Sequence, residues 1–157
     1  MPASPPEPSL TEVERLAARL HRRQVDKAGR PYIGHPRAVA ARVAADGGSV
    51  HQQMAALLHD VVEDTEASLS TLGADGVPAP VLVLVDAMTK RRDESHEDYL
   101  TRLARVPGAA LIKRADIAHN SDPNRLAALP GPLRARLRAK YEGAVRLLDR
   151  LEQRAER

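Results

Sequence analysis

Three observations predict an all-α fold for this chain. Capped segments with helical spacing of apolar residues cover most of its length, the interior set holds no Phe, Trp or Cys, and no segment finds a strand partner. At 157 residues the chain is long enough for one domain that buries about two-thirds of its unfolded surface. Its core must be assembled from Leu, Val, Ala, Ile and Met, which suit closely packed helices.

The elements follow in order. Residues 1–8 lack both a basic and an apolar region of the signal-peptide kind and are expected as a disordered leader, with a single domain over 9–157. Ser9 to Glu12 and Thr11 to Glu14 both read as helix starts, and Val13, Leu16, Ala17 and Leu20 extend a first helix to about Val25. Asp26 to Gly34 is a loop punctuated by Gly29 and Pro31. His35-Pro36 opens a second helix that Asp46-Gly47-Gly48 ends. Ser49 caps a third, expected to run unbroken through His59-Asp60. Thr65 to Pro80 reads as a looser region. Val81 to Met88 is β-branched, yet without a strand partner it is read as helix. Arg91 to Glu97 reads as a charged loop, Tyr99 to Ala104 as amphipathic, and Gly108 to His119 as a helix broken by Asn120-Ser121-Asp122-Pro123. A long basic helix runs from Leu133 to the end.

Composition narrows the function classes. Without cysteine there is no disulfide and no thiolate ligand, so any metal must be held by His and carboxylates, a chemistry that fits the cytoplasm. The apolar run Val81–Val85 is far shorter than the ~20 residues of a membrane span, so no membrane partner is expected. A net charge of +3 does not by itself indicate nucleic acid. The tail carries Arg146, Arg150 and Arg154 on one face, but acids dilute the field. Leu137, Tyr141, Ala144, Leu148 and Leu151 trace an apolar stripe that suits packing on the domain.

The chemistry concentrates in Leu57-Leu58-His59-Asp60-Val61-Val62-Glu63-Asp64. On a continuous helix His59 would stack on Glu63, and Asp60 on Asp64. A carboxylate and an imidazole emerging together from a core helix are costly to bury unless a metal or partner charges compensate, so the segment points to a metal site. Two further ligands are needed. Asp116 sits among Ile112, Ala115 and Ile117, and an interior Asp is rarely left without a strong partner. His35 opens a helix beside a glycine-containing loop. His21, His51, His96 and His119 lack comparable companions and read as structural or surface residues.

The order His35, His59-Asp60, Asp116 resembles the ligand set of HD-domain metal-dependent phosphohydrolases. Gly29–Pro36, Ala55–Thr65, Val85–Lys90 and Ile112–Asn120 are similar to the hydrolase domain of RelA/SpoT-type alarmone enzymes and their small single-domain relatives. The resemblance spans about residues 12–150 and implies an HD-domain helical bundle. It implies Mn2+ held by His35, His59, Asp60 and Asp116, although the donor set also suits other divalent transition metals. Glu63 and Asp64 would then orient a water and manage the leaving-group proton. Lys27 and Asn120 would contact the nucleotide, and Lys113, one turn before Asp116, could reach the same pocket.

The implied activity is removal of the 3′-pyrophosphate of (p)ppGpp or an analogue, in the cytoplasm, by a protein that could form a homo-oligomer. Hydrolysis of another nucleotide or phosphate ester is the first alternative. A non-catalytic module binding nucleotide or nucleic acid is a second, disfavoured because every ligand and acid–base candidate is present. One position departs: the resembled enzymes usually carry Arg immediately before the lysine matched by Lys27, and here Asp26 stands there. Replacement cations are expected from the insert Lys90-Arg91-Arg92-Asp93-Glu94.

Overall fold

Ser49 and Gln52 close a reciprocal capping box at the start of the helix around which the others are arranged, α3, Val50–Leu58. The computed structural model describes residues 2–156. Around α3 lie α1 (Leu10–Leu20), α2 (Gly34–Ala45), α6 (Ala79–Met88) and α8 (Ala109–Asn120). The remaining helices are α4 (Val61–Asp64), α5 (Leu69–Ala74), α7 (His96–Ala104), α9 (Pro123–Ala127) and α10 (Gly131–Ala155). No strand occurs among the described residues, and the one extended pairing there is a bridge between Val25 and Pro31. The predicted all-α class holds.

From Met54 to Leu58 helix α3 is apolar all round because it is buried all round. Met54, Ala55, Ala56, Leu57 and Leu58 are essentially inaccessible, and the two alanines let neighbouring helices approach closely. Each fully buried Leu or Met contributes roughly 1.5–3 kcal/mol. Val81 to Met88 packs as helix against α3, as read from the sequence. The basic tail helix α10 lies along α7 and α8 and buries Ala144 and Leu148. Among the described residues no helix is long and apolar enough to cross a membrane.

Several boundaries differ from expectation. The first helix ends at Leu20 because Gln24 to Tyr32 form a closed loop, with Tyr32 N–H donating to Gln24 O at 2.9 Å and Asp26 N–H to Arg30 O at 2.8 Å. The third helix does not run through His59-Asp60. The His59 imidazole takes the Ala56 carbonyl, at 2.6 Å, which is the acceptor that Asp60 N–H would use in a continuous helix. The chain therefore turns at 59–60 before α4. Two short helices interrupt segments read as irregular: α5, capped by Ser68 and Thr71, and α9, started by Asp122 and Pro123. Ser95 caps α7 three residues earlier than the amphipathic pattern suggested. In the expected leader, residues 2–8 carry no helix, and Glu7 reaches His51 Nε2 at 3.0 Å. Met1 and Arg157, the outer ends of the expected leader and domain, lie outside the described residues.

The stop of α2 is sharp. Gly47 takes φ +87°, Gly47 N–H donates to Ala44 O and Gly48 N–H to Val43 O, a Schellman closure. Gly48 lies directly on Val43, so a Cβ there would collide with the Val43 side chain and stand 2.8 Å from its carbonyl oxygen. Gly48→Ala is accordingly expected to cost about 1–3 kcal/mol, the usual penalty for overpacking, in a urea unfolding titration. Ser49→Ala, one residue on, should cost about 1 kcal/mol through loss of the cap.

Candidate metal centre

Three separate elements deliver side chains to one buried point. The Tyr32–Gly34 turn and first turn of α2 place His35, the break after α3 places His59 and Asp60, and the middle of α8 places Asp116. His35, His59 and Asp60 each offer a ligand atom within 4.8 Å of the others. Asp116 Oδ1 completes the set, 2.9 Å from His35 Nε2 and 3.4 Å from His59 Nε2. His59 Nε2 lies 3.0 Å from Asp60 Oδ2.

The hydrogen bonds fix which nitrogen each imidazole turns inward. Ala56 O can only accept, so His59 Nδ1 carries its proton outward and Nε2 faces the two carboxylates. That Nε2 is buried and has no partner of hydrogen-bond geometry. His35 Nδ1 lies 2.7 Å from His119 Nδ1, with the rings stacked at 5.0 Å. Burial and the nearby cation of Arg125 lower the His119 pKa to about 4, which makes it the neutral acceptor and His35 Nδ1 the donor. Both ligand candidates thus turn Nε2 toward Asp60 and Asp116. Two imidazole nitrogens facing two carboxylate oxygens suit a borderline divalent cation, and the buried Nε2 of His59, without a hydrogen-bond partner, is an atom that such a cation would engage in place of a proton.

Electrostatics agree with that need. Burial opposes the ionised form of Asp60, but the His59 charge and the Tyr32 hydroxyl outweigh it and hold its pKa at about 2. Burial likewise opposes ionisation of Asp116, which the Lys113 ammonium at 3.0 Å and the imidazoles of His35 and His59 beside it keep well below the carboxylate range. His59 is raised well above an ordinary imidazole, the charges of Asp60 and Asp116 overcoming its burial. Tyr32 and Tyr99, pushed up by burial first, stay protonated; Tyr99 donates to Met88 O at 2.6 Å and lies beneath the Lys113 ammonium.

Glu63 and Asp64, the acid–base candidates, sit just past the ligands. Burial raises both pKa values, and the neighbouring Asp60 adds to the effect. Glu63 accepts the Lys90 backbone N–H. Asp64 accepts from Gln24 Nε2 at 3.3 Å, and Gln24 Oε1 in turn faces His21 Nδ1 at 2.8 Å. His21, 2% exposed, packs against Tyr32 with the rings tilted by 51°.

A cavity of about 290 Å3 opens above the centre. His35, Asp60 and Asp116 form its floor. Lys27, Arg30 and Arg125 line it with cations, and Leu126, Leu129, Leu137 and Tyr141 make an apolar wall. Of the substrate candidates, Lys27 is exposed at the cavity and Asn120 lines it, donating to Asp116 Oδ1 at 3.1 Å. Lys113 reaches the centre, but its ammonium is held on Asp116 Oδ2.

Two sequence readings are corrected. His21 and His119 are buried or half-buried companions of the centre, since the loop and α8 fold them against Tyr32 and His35. The Lys90–Glu94 insert does not line the cavity; Arg91 pairs with Asp86 at 3.6 Å, and the arginines at the cavity are Arg30 and Arg125. At the departing position, Asp26 is held by its own loop. Its Oδ1 accepts the Ala28 and Arg30 amides at 2.9 Å each, a local turn bond readable in Asp-x-x-Gly.

Comparison with known proteins adds to this geometry. The family model described as HD domain matches residues 14–119. A GTP pyrophosphokinase of Streptomyces coelicolor is 46% identical over 85 residues, covering 52% of this chain and 10% of that protein. The guanosine-3′,5′-bis(diphosphate) 3′-pyrophosphohydrolase of Homo sapiens is 45% identical over 64 residues, covering 38% of this chain and 36% of that protein. The chain therefore spans about a third or less of these relatives' lengths. A solved structure described as a metazoan ortholog of SpoT that hydrolyzes ppGpp and plays a role in starvation responses superposes with a TM-score of 0.76. It is 28% identical and covers 93% of this chain and 88% of that one.

Binding of a divalent cation at the centre should stabilise the fold by mass action. Manganese at 100 times its dissociation constant is expected to add about 2.7 kcal/mol. In thermal unfolding that is a rise of roughly 5–10 °C for a chain of this size. The rise should vanish with a chelator and in Asp116→Ala.

Proposed function

The chain belongs to the HD-domain family, and on that premise we propose that residues 9–157 form a cytoplasmic, divalent-metal-dependent phosphohydrolase that removes the 3′-pyrophosphate of (p)ppGpp or a close analogue. One observation carries the reading: potential ligand atoms of His35, His59, Asp60 and Asp116 gather at one point, and His35, Asp60 and Asp116 form the floor of a cavity lined with cations. The human relative and the solved structure, both described by ppGpp hydrolysis, support the substrate. Manganese is the proposed ion, held by those four residues.

When bound, the ion supplies a Lewis acid for the phosphoryl oxygens and a water acidified toward neutral pH. The protein supplies the rest. Hydrolysis forms a bond from water oxygen to the phosphorus beside the 3′-oxygen and breaks the bond between them. One proton must leave the water and one must reach the 3′-oxygen. Asp64, held as an acceptor by the Gln24 amide, is the base that orients the water and takes its proton. Glu63, raised by burial, carries the proton to the leaving oxygen. Lys27 and Asn120 hold the nucleotide, and Lys113 keeps Asp116 ionised.

Incubation with manganese and ppGpp, followed for GDP and pyrophosphate, tests the reading. Turnover is expected in the wild type and should fall to background in a His59→Ala/Asp60→Ala variant. Absence of turnover with manganese bound would reject this substrate. The pH profile offers a second check. A base must be deprotonated to act, so activity should fall as pH drops through the raised pKa of Asp64. The acidic limb of kcat/KM is therefore expected above the ordinary carboxylate value of about 4. Asp64→Asn should remove most of kcat with little change in the thermal transition.

A further inference from the structure

Asp26 stands between two arginines at the cavity. Its Oδ2 is 3.6 Å from Arg30 Nε within the loop, and 3.9 Å from Arg125 Nη1 on α9. The loop and α9 are distant in sequence, so the carboxylate ties two sides of the cavity together. Its Oδ1 is already committed to the Ala28 and Arg30 amides, which holds the carboxylate in one orientation. At 3.9 Å, Arg125 is attracted to Asp26 without being consumed by a hydrogen bond. A guanidinium carries five N–H donors in a rigid fork, and most of those on Arg125 remain available to a ligand.

The cavity is divided chemically. Buried carboxylates lie at its floor, where the scissile phosphates would meet the metal centre. An apolar wall of Leu126, Leu129, Leu137 and Tyr141 suits a nucleobase, and the guanidinium of Arg125 belongs to the residue immediately before that wall begins. Asp26 gives Arg125 a counter-charge on the side of the cavity formed by the loop.

We propose that Arg125, seated by Asp26, is a specificity-determining residue that takes the phosphate group of the nucleotide which is not being cleaved. This deepens the phosphohydrolase reading and rests on it. The site then favours a nucleoside phosphorylated at both ends of the ribose over one bearing only the scissile group. Arg30, 60% exposed, adds charge to the field but lacks the position against the apolar wall.

Equilibrium binding of GDP and of guanosine, measured by calorimetry on the manganese-loaded full chain, tests this without requiring turnover. Wild-type protein should bind GDP at least about 10-fold more tightly than guanosine, the usual worth of a charge-assisted contact. Arg125→Gln should remove most of that preference and leave guanosine binding, which needs only the apolar wall, as the check that the variant is folded. Arg125→Lys should restore part of it. Asp26→Asn keeps the Oδ1 acceptor for both amides but loses the charge, and should weaken GDP binding about 3–10-fold, with no further loss when combined with Arg125→Gln. In ppGpp hydrolysis, Arg125→Gln should appear chiefly in KM. GDP binding no tighter than guanosine, or a preference intact in Arg125→Gln, would overturn the inference while leaving any ppGpp turnover standing. Arg125-dependent GDP binding without ppGpp turnover would instead sink the substrate reading and keep the phosphate contact.

Discussion

A carboxylate buried in the middle of helix α8 is the constraint from which the rest of this structure can be understood. Asp116 is 5% exposed, and its neighbours Ala115, Ile112 and Ile117 offer it nothing polar. Every compensating group comes from elsewhere: His35 from α2, His59 from the break after α3, Lys113 and Asn120 from adjacent turns of its own helix. An uncompensated charge at that depth would cost several kcal/mol, so α2, α3 and α8 are bound to one mutual placement. The packing of α3 against α2 and α8 and the chemistry of the floor are one arrangement seen from two sides.

The second layer makes that arrangement directional. His59 is locked by a backbone carbonyl and His35 by a neutral histidine, so both imidazoles present the same nitrogen inward. Tyr32 ties Asp60 to the loop, and His21 and Gln24 extend the same support to Asp64. The loop between α1 and α2 therefore braces two parts of the site at once, and its early departure from helix at Leu20 is the condition for doing so.

Local signals were readable in the sequence. Ser49 as a cap, Gly47-Gly48 as a stop, the helical nature of Val81–Met88 and the interior anomaly of Asp116 are written in neighbouring residues. The structure brings together His35, His59, Asp60 and Asp116, four residues singled out in advance. Features made by distant contacts were not readable. The break at His59 depends on a side chain outcompeting a backbone amide, His119 gains its place only once α2 and α8 pack, and Arg125 reaches the cavity through a five-residue helix whose start lies in what looked like a simple break. The acid at Asp26, a departure in the sequence, has two cationic neighbours in three dimensions.

The aromatic shortage noted at the outset has an optical consequence. With no Trp, the near-ultraviolet signal of the described chain arises from three tyrosines. Tyr32 donates to Asp60, Tyr99 lies beneath the ammonium that neutralises Asp116, and Tyr141 forms part of the cavity wall. None is spent in a remote part of the core. The near-ultraviolet spectrum of this protein is therefore a view of its site with almost no background, and changes in the floor or wall are reported by the tyrosines placed there.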